Sequence, residues 1–170
     1  PVEAREAQGE WAFAEARRCW PREACGILLG RREEPSAMSF VAFENLQDRL
    51  HAADPASFPR DARTAYAMDA LRLERTVDAA LARGEQLLAI LHSHPQYPSY
   101  FSRTDRAAAS PFGFPTWPDA LQLVISVYDA EVRDLKAFRW DGEDWREQPL
   151  SGLPPLPGPP ADALPLEEGE

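Results

Sequence analysis

Apolar and polar positions along this 170-residue chain fall into short blocks that switch between helical and strand periods. Residues 3–19 set Trp11, Phe13 and Ala14 against Arg17 and Arg18 in an amphipathic helical pattern, which Pro21 stops. Residues 26–30 form a short apolar run bounded by glycines and read as a buried strand. A turn over 31–36 leads to a second strand, 38–43, pairing back on the first. Residues 45–60 hold Asn45, Asp48, Asp54, Pro55 and Pro59 and read as a loop. From Asp61 to Arg83, Ala67, Leu71, Leu73, Val77 and Leu81 recur at helical spacing, predicting one long helix ended by Gly84. Residues 85–91 make the strand that delivers His92, and 95–101 a loop rich in proline and tyrosine. A short helix opens at Ser102 and runs to Ala109, followed by an aromatic loop over 111–118. Residues 121–128 and 132–140 alternate as neighbouring strands, and Asp141-Gly142 makes a hairpin turn before Trp145.

Helices and strands mixed in one unit predict an α/β (α+β) domain with a mixed β-sheet flanked by helices, spanning residues 1–149. Residues 150–170 carry Pro154, Pro155, Pro157, Pro159, Pro160 and Pro165, then an acidic end. This stretch is expected to be an extended, disordered tail with no core of its own.

Charge narrows the function. A net charge of −10 argues against nucleic acid or an anionic membrane as partner. No run of about 18 apolar residues predicts a membrane span, and the N-terminus lacks the pattern of a signal peptide. The start at Pro1 reads as a cytoplasmic N-terminus that has lost its initiator Met. Cys19 and Cys25 are too few for a disulfide framework and are expected as reduced, partly buried thiols.

Two of the chain's three histidines fall together in His92-Ser93-His94-Pro95, and Asp105 follows. A strand ending on His-x-His turns both imidazoles to one side of its sheet. A short loop can then bring Asp105, on the first turn of the next helix, back to them. Imidazole and carboxylate ligands suit zinc, and three protein ligands leave a fourth position for water. Ser102 lies three residues before Asp105, an arrangement that also makes a helix cap, and both roles can coexist. Hydrolysis requires in addition a carboxylate to move protons. Glu23, just before a buried strand, is one candidate among 28 acids, and composition and spacing do not choose it. His51, in a polar loop without a partner nearby, reads as a surface residue.

His92-Ser93-His94-Pro95, six intervening residues, Ser102, two more and Asp105 resemble the JAMM (MPN+) metalloprotease motif, His-x-His-Pro-x6-Ser-x2-Asp. Upstream, Glu23-Ala24-Cys25-Gly26-Ile27-Leu28-Leu29-Gly30 is similar to the segment in which that family places its catalytic glutamate. The resemblance implies a deaminase-like mixed sheet, a Zn2+ ion on His92, His94 and Asp105, and Glu23 shuttling the proton of the attacking water. Ser102 would then hydrogen-bond the oxyanion. The chain looks closest to the short bacterial members, some of which process sulfur-carrier proteins. That implies hydrolysis of the peptide or isopeptide bond after the C-terminal Gly-Gly of a ubiquitin-like or sulfur-carrier protein. Phe112, Phe114 and Trp117 would wall the channel for such a chain end or, alternatively, cover the core. Two other readings remain open at this stage: a non-catalytic scaffold of the same fold, and a non-haem iron enzyme using the same ligands. The carrier, the group released and the oligomeric state are not legible in the residues.

Overall fold

The computed structural model describes residues 2–163. Helix α1 (Val2–Cys19) leads into β1 (Cys25–Arg31) and β2 (Glu34–Phe43), then α2 (Gln47–Ala53) and α3 (Ala70–Ala82). Next come β3 (Gln86–Pro95), α4 (Arg103–Ala109), β4 (Leu121–Tyr128), β5 (Glu131–Trp140) and β6 (Trp145–Gln148). One six-stranded sheet in the order β2-β1-β3-β4-β5-β6 runs through the molecule. Every neighbouring pair is antiparallel except β3–β4, which is parallel and therefore needs a crossover connection. This is the mixed, helix-flanked sheet expected from the sequence.

The two faces bury different sets. Ala12, Phe13 and Ala16 of α1 pack on Ala89, Leu91, Leu123 and Ile125, whereas Trp11, expected on the apolar stripe, points outward. On the opposite face Leu73, Val77 and Ala80 of α3 pack on Cys25, Ile27, Leu29, Leu87 and Ile90. Leu87 and Ile90 share a face despite their odd spacing. The register between β1 and β3 slips by one residue between Leu28↔Ala89 and Leu29↔Leu87, so a bulge at Leu88 resets the alternation. After that reset Ile90, His92 and His94 all lie on the α3 face. Gly26 is required by close approach: a Cβ there would sit 2.6 Å from the Phe40 ring and from the Val41 carbonyl.

Three boundaries differ from expectation. Residues 47–53, expected as loop, form α2, a two-turn helix too short and too polar to show a period. The long helix begins at Ala70 and not at Asp61, because the Asp69 side chain caps it by accepting from the Arg72 N–H at 2.9 Å. Strand β2 starts at Glu34, so the turn after β1 is tight and Arg31 pairs with Glu34. Gly84, at φ +77°, ends α3 as expected.

Past β6 the described residues form no further helix or strand, and a turn over 160–163 is closed by the Ala163 N–H donating to the Pro160 carbonyl at 3.0 Å. Leu156 packs against the α1-side core, and the Gly158 N–H donates to the Arg133 carbonyl at 2.8 Å. The Arg133 guanidinium donates back to the Gly158 carbonyl, also at 2.8 Å. The acidic end expected to be disordered lies largely outside the described residues. Among the described residues, no helix is long and apolar enough to cross a membrane.

Candidate metal centre

Strand β3 carries the site at its end. Its last residues, His92, Ser93 and His94, are buried, and alternation turns the two imidazoles to one side and the Ser93 hydroxyl to the other. The His92 Nε2 and His94 Nε2 atoms lie 3.0 Å apart. Asp105, one turn into α4, closes a triangle, with Oδ1 3.3 Å from His92 Nε2 and Oδ2 3.3 Å from His94 Nε2. Ligand atoms about 2.0–2.1 Å from a tetrahedral metal such as zinc lie roughly 3.3 Å from one another. The three side chains therefore fit a small ion with one position left over. Among the described residues this is the group of His, Cys, Asp and Glu able to hold a metal.

The ligands are held in register by their surroundings. The His94 Nδ1 donates to the Pro98 carbonyl at 2.8 Å, which leaves Nε2 as the free ligand atom. Among the described residues His92 finds no acceptor for Nδ1, and its ring is held by stacking on Tyr66, with centroids 4.6 Å apart and planes 20° off parallel. Ser102 and Asp105 form a complete capping box. The Asp105 N–H donates to the Ser102 Oγ at 3.0 Å, and the Ser102 N–H to Asp105 Oδ2 at 2.9 Å. Capping and proximity to the cluster coexist, because Ser102 Oγ accepts one bond and keeps its own proton to give. Burial pushes the His92 imidazole below its usual range, against the pull of Asp105. Burial alone would raise the Asp105 carboxyl, but the two histidines outweigh it and hold it well below the ordinary carboxylate range. Both groups thus rest in their deprotonated, ligating forms at neutral pH.

Glu23 arrives from the start of β1. Its N–H donates to the Ala62 carbonyl at 2.7 Å, and its carbonyl accepts from Asn45 Nδ2 at 3.0 Å. The next residue, Ala24, donates to the Ser93 hydroxyl at 2.7 Å, which ties β1 to the back of the His-x-His segment. The carboxylate is buried, and its Oε2 has no partner among the described residues. Burial, reinforced by the negative charge of Asp105, pushes its pKa well above the usual value, against the opposing charge of Arg60. A carboxyl tuned upward in this way is suited to carrying a proton near neutral pH.

A cavity of about 240 Å³ brings these groups together. Glu23, His94, Ser102 and Asp105 line it, while His92 stands fully buried behind. Arg60 and Thr64 form part of the same wall, with Tyr97 and Tyr100 beside them. All five residues singled out in the sequence therefore converge. Asn45, Tyr66, Ser93 and Arg60 were not anticipated. Asn45 is a hub: it donates to the Glu23 and Ala65 carbonyls and accepts from the Gln47 and Ala67 N–H groups. His51 is not the free surface histidine expected, because it is half-buried in α2 with Nδ1 2.7 Å from the Phe58 carbonyl. In the aromatic loop Trp117 packs on the core, whereas Phe112 and Phe114 are 93% and 74% exposed and cover nothing. Cys19 and Cys25 are free thiols, half-buried and buried respectively.

The chain is similar to several known proteins. A desampylase of Haloferax volcanii is 28% identical over 75% of this chain and 76% of the relative. CysO-cysteine peptidases of Mycobacterium bovis and Mycobacterium tuberculosis are 29% identical over 81% of this chain and 82% of theirs. A solution structure of a Desulfitobacterium hafniense protein superposes with a TM-score of 0.61 at 24% identity, covering 84% of this chain and 86% of that one. A Salinibacter ruber protein does so with a TM-score of 0.53 at 20% identity, covering 95% and 92%. These two likenesses establish the fold. A family model described as prokaryotic homologs of the JAB domain matches residues 11–141, which takes in the second half of α1, the first five strands and the whole metal cluster. The chain belongs to the prokaryotic JAB-domain family.

Proposed function

We propose that this chain is a zinc metallopeptidase. It hydrolyses the peptide or isopeptide bond that follows the C-terminal Gly-Gly of a ubiquitin-like or sulfur-carrier protein. The observation that carries the reading is the meeting, around one cavity, of the His92–His94–Asp105 triangle, the Ser102 hydroxyl and the buried Glu23 carboxylate, whose Oε2 has no partner among the described residues. The relatives named as a desampylase and as CysO-cysteine peptidases support the substrate class. The unpaired Cys19 and Cys25 suit a reducing, cytoplasmic setting.

His92, His94 and Asp105 would hold the zinc, which when bound lowers the pKa of water toward about 7 and polarises a carbonyl. Glu23 takes the proton from the attacking water and delivers it to the leaving nitrogen. Its raised pKa makes both transfers accessible near neutrality. Ser102, fixed by the capping box, donates its hydroxyl proton to the oxyanion that develops on the scissile carbonyl. A cavity of this size lies below the roughly 300–1,000 Å³ of sites that enclose a whole ligand, and it suits a narrow chain end. The body of the carrier then rests outside the cavity, and the exposed Phe112 and Phe114 are the apolar side chains proposed to meet it.

The test pairs zinc analysis with cleavage of a Gly-Gly-terminated carrier fusion, comparing wild type with Glu23→Gln. One zinc in each, with hydrolysis lost only in the variant, is the expected result. A wild type that binds no zinc, in a preparation never exposed to chelator, would overturn it.

A further inference from the structure

Arg60 is the one cationic Arg or Lys side chain lining a cavity whose acidic groups are the carboxylates of Glu23 and Asp105. Among the described residues its guanidinium enters no ion pair, although the chain is rich in carboxylates. Its backbone is nevertheless firmly placed. The Arg60 carbonyl accepts from the buried Gln47 side chain at 2.8 Å. Two residues on, the Ala62 N–H donates to Asp48 at 2.8 Å and its carbonyl accepts from the Glu23 N–H at 2.7 Å. The segment that presents Arg60 is thus tied directly to Glu23, two residues before β1. A cation here opposes the upward tuning of Glu23, so helping the proton carrier does not explain it.

A guanidinium is shaped to receive a carboxylate through two parallel hydrogen bonds. The two possible reactions of the site differ in whether they offer one. When a single amino acid is linked through its α-amino group to the carrier's last glycine, its own carboxylate lies one carbon from the scissile nitrogen. In an isopeptide the leaving nitrogen is a lysine Nζ flanked by methylenes, which offer a guanidinium nothing to bind. We propose that Arg60 binds the α-carboxylate of one amino acid attached to the carrier's C-terminus, so that the favoured reaction removes that single residue and not a side-chain-linked protein. Each cycle consumes one water. Its oxygen ends in the carrier's terminal glycine carboxylate, and the released residue leaves as a free amino acid. This inference rests on the hydrolase reading given above.

The experiment uses the full zinc-loaded chain and three substrates built on one Gly-Gly-terminated carrier. The first carries an extra alanine with a free carboxylate, the second the same alanine as its amide, and the third a lysine peptide joined through Nζ. In wild type we expect kcat/KM for the free carboxylate to exceed that for the amide by about tenfold or more, a difference expressed in KM. Arg60→Gln should collapse that ratio toward one, and Arg60→Lys should keep part of it. Free alanine should inhibit wild type more strongly than Arg60→Gln. Equal wild-type rates on all three substrates would overturn the role of Arg60 while leaving the hydrolase standing. So would an equal fall on all three in Arg60→Gln with a shifted acid limb of the pH–rate profile, which would make Arg60 a positioning residue for Glu23. A wild type that cleaves none of the three would overturn the hydrolase reading and this one with it.

Discussion

The metal cluster, at the end of β3 and on α4, and the 111–118 loop that follows α4 break the usual partition of side chains in opposite directions. The first buries polar groups: Ser102 and Asp105 are under a tenth exposed and His92 not at all. The second exposes apolar ones, with Phe112 and Phe114 standing in solvent a few residues later. Burying charge costs several kcal/mol unless it is partnered, and leaving a phenylalanine outside forgoes about 1.5–3 kcal/mol. Apolar packing explains neither arrangement. The difference lies in what each awaits: the cluster is shaped for an ion, with edges of 3.0–3.3 Å, while the loop offers area without a pocket.

Substitutions at the cluster should therefore abolish chemistry, and substitutions on the loop should weaken recognition alone. The largest effect is expected from His92→Ala or Asp105→Asn, in which bound zinc and hydrolysis should both disappear. Retained stoichiometric zinc in either variant would break the assignment of the cluster. Glu23→Gln should lower kcat by about 10²–10⁴ while keeping the metal. It should also raise the melting temperature of the zinc-free protein at neutral pH. The folded-state pKa of Glu23 lies above its unfolded value, so its stabilising contribution is full below the unfolded pKa and is lost as pH rises through the folded one. A neutral glutamine escapes that loss, and the gap between variant and wild type should shrink toward acid pH in thermal scans. Ser102→Ala should reduce kcat by about 10²–10³ through the lost oxyanion donor and cost about 1 kcal/mol in denaturant melts through the lost cap. A stability change without a rate change would reduce Ser102 to a cap. Phe112→Ala with Phe114→Ala should leave stability within about 0.5 kcal/mol and raise KM for a whole carrier by about tenfold. A matching rise for a short Gly-Gly peptide would erase the distinction between the two regions.

Strands and ligands were legible in the sequence because their signals are local. Alternation along β4 and β5 and the apolar run before His92 needed no tertiary context, and the His-x-His and Ser-x-x-Asp spacings lie within one crossover. The segment before Ala70 was misread as helix because Ala67 fits a helical period. There the Ala65 carbonyl and Ala67 N–H are taken by the Asn45 side chain, about twenty residues away along the chain. The same remoteness hides the other supports. Tyr66 stacks on His92, and Ser93 holds Ala24, a residue in a different strand. No local pattern announces such contacts. His51 looked free because its acceptor is a backbone carbonyl, which any sequence supplies.

The parallel pairing of β3 with β4 also sets a timetable. His92 lies opposite Val124 and His94 opposite Ser126, so the strand that carries the two histidines is paired on both edges only when residues 121–128 have joined the sheet. A chain leaving the ribosome presents all three ligands before the strand that pairs with β3 on its second edge has been synthesised. Ligands on an unfinished sheet hold zinc weakly, because the energy of metal binding comes with a fully formed site. Such long-range parallel contacts are also among the slowest to assemble. On the function proposed above, metal would therefore load onto a finished sheet, and a shortage of it would leave folded, unloaded protein.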